Sequence, residues 1–114
     1  MENTLPILTK SYALYKSIVE NNNYAEKRWR YSLCATLEKT IVEMIGQLVM
    51  AKAAPKQLKA GYLIRASAHQ ELCSMQLRMC MELEAVNQTK LYQSHAALTE
   101  VGRMLGGWLR SCQQ

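Results

Sequence analysis

Three side chains able to ligate a metal or attack a substrate, His69, Cys73 and Cys80, recur on one face of a helical pattern. His69 and Cys80 are eleven residues apart, roughly 16 Å of helix, so one ion reaches His69 and Cys73 but not Cys80. No Cys-x-x-Cys pair completes a tetrahedral site. A di-iron bundle needs a Glu one turn before each ligating His, whereas Ala66 precedes His69 by three residues and Tyr92 precedes His95 by three. Nucleophilic catalysis by a Cys–His pair requires a third orienting group and a cleft, and a small bundle core offers little cavity. Gly61, Gly102, Gly106 and Gly107 all fall inside helical pattern, so no glycine loop precedes a helix to cradle phosphate. The expectation is a non-catalytic protein with no metal and no cofactor.

The segment Gly102-Arg103-Met104-Leu105-Gly106-Gly107-Trp108 carries the strongest local signal. Each interior glycine costs a helix about 1 kcal/mol relative to alanine, so three need an offsetting gain. Gly102 and Gly106 lie one turn apart and clear a strip for close approach, with Arg103 and Arg110 along a neighbouring face. A glycine floor edged with guanidinium groups suits a phosphate backbone or a partner helix; the plain alternative is a kinked, frayed terminal helix. Trp108 reads as the anchor of this end. Trp29 lies between Arg28 and Arg30, beside Lys27 and Tyr31. Basic residues interleaved with aromatics can grip nucleic acid by charge and stacking, and a Trp packed at a helix start fits the same pattern.

The elements that hold these residues are helices. The chain has 114 residues, 49% of them hydrophobic, with five Gly, two Pro and no Phe. Its commonest residues lose little rotamer freedom in a helix, and its length suits one domain, residues 1–114, with a single core. The pattern predicts four helices. The first runs from about Leu5 to Asn22, with Thr4 as N-cap, Pro6 in the first turn and Leu8, Tyr12, Tyr15, Ile18 and Val19 as its apolar stripe. The second runs from about Ala25 to Ala53 over Cys34, Leu37, Ile41, Met44, Ile45 and Leu48. The third runs from about Pro55 to Ala85, with Leu58, Tyr62, Ala66, His69, Cys73, Leu77 and Cys80 inward. A second apolar set on it, Leu72, Met75, Met79, Leu83 and Val86, predicts burial against a neighbouring subunit. The fourth runs from about Gln88 to Ser111, after a cap or stop at Asn87, over Leu91, His95, Leu98, Gly102, Leu105, Leu109 and Cys112. Short connections predict an all-α, up-down-up-down antiparallel four-helix bundle. Cys34, Cys73, Cys80 and Cys112 sit in amphipathic stretches, as reduced core thiols do.

The net charge is +5. Lys52, Lys56, Lys59 and Arg65 occur without an intervening acid, and after Glu100 the only charges are Arg103 and Arg110. A lopsided basic surface suits a polyanion; simple solubility is the other reading. No run of about 18 apolar residues points to a membrane span, and Glu2 and Asn3 before Leu5 and Pro6 do not read as a secretory leader. A cytoplasmic protein is expected.

Glu100-Val101-Gly102-Arg103-Met104-Leu105-Gly106-Gly107-Trp108 resembles the C-terminal signature of the accessory variability determinant (Avd) proteins of diversity-generating retroelements. Leu5-Pro6-Ile7 with Tyr12-Ala13-Leu14-Tyr15 resembles that family's opening, and Leu37-Glu38-Lys39-Thr40-Ile41-Val42-Glu43 its second helix. The resemblance implies a homopentameric barrel of four-helix bundles with a basic surface. It implies a non-catalytic partner of the element's reverse transcriptase that binds RNA or an RNA/DNA hybrid during mutagenic cDNA synthesis. The matching arginine is Arg103, with Arg110 just beyond. Lys52, Lys56, Lys59, Arg65, Arg78, Arg103 and Arg110 are the residues expected to meet phosphate or polymerase, and Gly102, Gly106, Gly107 and Trp108 form the helix-packing motif. A related bundle family, encoded in intervening sequences of large-subunit ribosomal RNA genes, shares parts of the pattern and supplies the alternative, an interaction protein without a polymerase partner.

Overall fold

Helix boundaries in this chain follow local chemistry closely. The computed structural model describes residues 5–113. Helix α1 spans Leu5–Asn22, a single-turn α2 spans Lys27–Arg30, α3 spans Leu33–Ala53, α4 spans Lys56–Glu82 and α5 spans Gln88–Cys112. There is no strand among the described residues. The predicted N-cap Thr4 lies outside them. Pro55 pushes Ala54 into extended backbone (ψ 153°) and ends α3 at Ala53. Asn87 caps α5: its Oδ1 accepts from the Lys90 amide at 2.9 Å. At the end of α4 the Ala85 amide bonds to the Cys80 carbonyl and the Glu84 amide to the Met81 carbonyl. That double bond pattern requires a left-handed residue, here Glu84 at φ 50°, where glycine is the usual choice.

The four long helices enclose one core. Helix α3 packs on α4, α4 on α5, α5 on α1 and α1 on α3, in a body 45 Å long and 21 by 19 Å across. Buried Leu37, Ile41, Met44 and Leu48 from α3 meet Leu63 and Leu77 from α4, Leu91, Leu98, Val101 and Leu105 from α5, and Ile7, Leu14 and Ile18 from α1. Each such side chain contributes about 1.5–3 kcal/mol of burial. Among the described residues no helix is long and apolar enough to cross a membrane.

Several expectations need correction. The inner stripe of α1 is Ile7, Ser11, Leu14 and Ile18, while Tyr12 is 64% exposed. The small Ser11 lets the helices approach, and the phenol of Tyr12 keeps its hydration outside. The predicted second helix breaks at Tyr31–Ser32, where the Ser32 hydroxyl donates to the Arg28 carbonyl and competes with the helical ladder. In α4, Leu58 is exposed and Leu63 takes the core position, with Tyr62 and His69 half-buried. That helix is apolar on two faces, so periodicity alone cannot say which turns inward. In α5, Ser94 and Val101 are buried where His95, Gly102, Leu109 and Cys112 were expected, and those four are half-buried. Cys34, Cys73 and Cys80 are buried free thiols, as expected, whereas Cys112 is only half-buried.

Candidate nucleic-acid interface

The register of α4 against α5 decides which cations share a surface. Ser74 Oγ and His95 Nε2 are 3.1 Å apart, and Gln70 Nε2 donates to the Leu98 carbonyl at 3.3 Å. The two helices therefore run in opposite directions. Following that register for about a dozen residues brings Arg110 level with the start of α4. A middle level is marked by Glu43, whose Oε1 lies 3.8 Å from His69 Nε2, and by Glu71 and Glu100. Beyond it α3 contributes Lys52, α4 contributes Lys56, Lys59 and Arg65, and α5 contributes Arg103 and Arg110, with no carboxylate after Glu43, before Glu71 or after Glu100 on the respective helices. Separate acid-free stretches of sequence become one basic half of the bundle. Arg78 lies outside it, on the far part of α4 with Glu71 and Glu82 as its acidic neighbours in sequence.

Within the basic half the cations have different tasks. Lys59 Nζ donates to the carbonyls of Ala51 at 2.7 Å and Lys52 at 3.1 Å, which satisfies the end of α3. It works as a cap. The Arg65 guanidinium lies 5.6 Å from the centre of the Tyr62 ring. Lys56 is exposed in the first turn of α4 and Lys52 is half-buried in the last turn of α3. Glu100 clasps Arg103, its Oε2 accepting from Nε at 2.9 Å and its Oε1 from a terminal guanidinium nitrogen. The Arg103 hydrogen bond, then the Arg103 and Lys10 charges, hold the Glu100 carboxyl below its usual range, and the Arg103 pKa rises in turn.

The glycines of α5 divide by what covers them. A Cβ on Gly102 would stand 2.6 Å from the Gln70 carboxamide nitrogen, so that space is filled from within the subunit. A Cβ on Gly106 would meet a guanidinium nitrogen of Arg110 at 3.5 Å, and one on Gly107 would meet another at 3.9 Å. Arg110 thus folds back over the glycine floor. Helix α5 continues unbroken through the motif to Cys112, which removes the frayed-helix reading. Trp108 is half-buried against the core.

The candidate chemistry elsewhere is muted. Burial pushes the Cys73 thiol to about 12, with Cys80 nearby adding to the shift, and pushes Cys80 to about 11. Cys34 is raised by burial as well. Such thiols are poor nucleophiles. Among the described residues no three His, Cys, Asp or Glu side chains converge as a metal site. Trp29 packs half-buried against the core with the Arg28 guanidinium 4.5 Å from its ring centre, while Tyr24 and Tyr31 stand out into solvent. Sequence reasoning centred on Trp29, with Tyr31 beside it, and passed over Tyr24. The signal available was the position of Tyr24 beside the helix-poor tract Asn21-Asn22-Asn23.

Comparison with known proteins bears on the same residues. No curated protein and no solved structure matches the chain. The family model described as bAvd-like matches residues 7–112, which takes in all four long helices but for the first two residues of α1, and the whole Gly102–Trp108 motif. That is the family the resemblance pointed to, one of accessory and non-catalytic proteins. The chain belongs to the bAvd-like family.

Proposed function

We propose that this protein is a non-catalytic accessory factor of a diversity-generating retroelement, binding RNA or an RNA/DNA hybrid together with the element's reverse transcriptase. One observation carries this reading: Lys52, Lys56, Lys59, Arg65 and Arg110 share a half of the bundle in which their helices bear no carboxylate, with Arg103 at its edge paired to Glu100. Phosphate contacts of that kind release counterions, so binding weakens steeply with salt and is nearly blind to sequence. Residues 1–114 act as one up-down-up-down domain in the cytoplasm.

The working unit in this reading is a homopentameric barrel. Support comes from the outward faces of α3 and α4, where Val42, Val49 and Met50 surround Gly46 and where an exposed apolar series runs from Ile64, beside Gly61, through Leu72, Met75 and Met79 to Leu83 at the C-cap. An added Cβ on Gly46 or Gly61 meets nothing within 4 Å, so neither glycine is required by packing inside the subunit. Two different apolar faces on one subunit suit a ring, in which each copy uses one face toward each neighbour. Five copies sum +5 per chain to about +25, which turns a weak field into a strong one.

Native mass measurement combined with a salt titration of RNA-duplex binding tests the proposal. The expected outcome is a pentameric mass and a log–log salt slope of several units. A monomer whose binding ignores salt overturns it.

A further inference from the structure

The end of the bundle opposite the basic half carries a different surface. Between α1 and α3 the chain turns through Asn23–Glu26, and Arg30 ties this turn down by donating to the carbonyls of Asn23 at 2.8 Å and Ala25 at 3.2 Å. Asn22, buried beneath it, donates to Glu38 Oε2 at 2.9 Å and to the Cys34 carbonyl at 3.5 Å. The turn is fixed from inside, yet the ring of Tyr24 within it and that of Tyr31 just after α2 are left in water, 88% and 69% exposed. Tyr24 also forms a wall of a cleft of about 430 Å³ whose other walls include Asn21, Glu20 and Lys90. That volume lies within the roughly 300–1,000 Å³ of small-ligand sites.

We infer that Tyr24 with the cleft it lines, and Tyr31 as a second exposed ring at the same end of the bundle, stack on unpaired bases of single-stranded nucleic acid, separate from the basic half. Tyr24 offers an aromatic face, and of the other residues that line the cleft Glu20 and Asn21 supply polar groups for a base edge and Lys90 a positive charge for a flanking phosphate. In α2, between the two tyrosines in sequence, exposed Lys27 adds a positive charge, while Arg28 is partly neutralised by Glu26 at 3.5 Å. Duplex bases are stacked on one another and cannot use such rings, whereas splayed single-strand bases stack on them without sequence preference. A surface meant for backbone phosphate alone needs no solvent-facing tyrosine on a tethered turn. The inference rests on the nucleic-acid reading above and adds a strand state to it: a duplex or hybrid lies along the basic half, while an unpaired segment is held at the far end.

The test uses the full-length protein with two fluorescein-labelled probes of equal phosphate count, a polyuridine oligonucleotide and a blunt duplex. Both rings are exposed, so the double substitution Tyr24→Ala with Tyr31→Ala leaves helicity and thermal midpoint unchanged. It is expected to weaken polyuridine binding about tenfold or more while duplex binding stays within about twofold. Tyr24→Phe with Tyr31→Phe keeps the ring faces and restores polyuridine binding. Wild-type-like binding of both probes by the alanine variant, or equal losses on both, overturns the stacking site and leaves the basic half standing; the tyrosines then serve a protein contact. A wild-type protein that binds neither probe overturns both readings together.

Discussion

Gln70 and Gly102 are made for one another: the carboxamide reaches across from α4 into the space a side chain on residue 102 would occupy, and from there bonds to the Leu98 carbonyl at 3.3 Å. Two effects compete when Gly102 becomes alanine. Helix propensity favours alanine by about 1 kcal/mol. Against this, the flexible end of Gln70 must swing away and give up a hydrogen bond worth about 0.5–1.5 kcal/mol. Gly102→Ala is therefore expected to be close to neutral in chemical denaturation. In a Gln70→Ala background the same change should stabilise by about 1 kcal/mol. A double-mutant cycle with no coupling between the two positions shows that the glycine answers to something other than Gln70.

Lys59 and Lys56 are three residues apart and should behave differently. Lys59 closes the end of α3, its ammonium shared between two carbonyls, and it is half-buried. Lys59→Ala is expected to cost about 1 kcal/mol of stability, since a charge-assisted bond is lost and two carbonyls are left to water. Exposed Lys56→Ala should leave stability within about 0.5 kcal/mol and lower the salt slope of nucleic-acid binding by about one. Denaturation curves and salt titrations of the two variants separate the cap from the contact.

The contrast shows which parts of the molecule were legible in the chain. Pro55, Asn87 and the Cys34–Leu48 stripe fixed three boundaries and one buried face, because a proline, a cap and a one-sided stripe act locally. The inward face of α4 was ambiguous, since Leu58 and Leu63 are equally apolar and only packing against α3 and α5 chooses between them. The basic cluster was half legible: the acid-free runs from Lys52 to Arg65 and after Glu100 were visible, but the pairing of Arg103 with Glu100 and the exclusion of Arg78 depend on register and on side-chain reach. The packed position of Trp29 was one of the two readings its sequence context offered, whereas the outward turn of Tyr31 left no local signal.

The buried thiols set an alkaline limit. Cys73 and Cys80 ionise near 12 and 11 in the folded protein, against an ordinary value of 9.0. A raised folded value means that the unfolded chain releases its proton first as pH climbs. Stability is therefore complete below about pH 9 and falls as pH rises through the window up to the folded values. Denaturation midpoints measured from pH 8 to pH 11 should decline, and Cys73→Ala should flatten part of that decline while lowering stability at neutral pH. At pH 8, half-buried Cys112 should react with iodoacetamide before the three buried thiols do. Equal labelling rates for all four would contradict the burial of the thiol cluster.

Assembly is the step on which the collective charge depends, and Met75 is the position at which to break it. Its side chain is 57% exposed on the outward face of α4, in a groove shared with Leu72, Met79 and the edge residues Arg78 and Glu82. Nothing inside the subunit needs Met75, so Met75→Glu should leave helicity and the unfolding transition of the separated subunit intact. In an assembled ring the same carboxylate would be trapped in an apolar seam with only Arg78 at its edge to pair with, a cost of several kcal/mol per contact. The expected result is a shift of the native mass toward monomer, together with a shallower salt slope for nucleic-acid binding because each particle then presents one basic half instead of five. Met75→Leu should keep both the assembly and the slope. A Met75→Glu variant that assembles as the wild type does places the seam on another face and leaves the α4 groove open for a different partner.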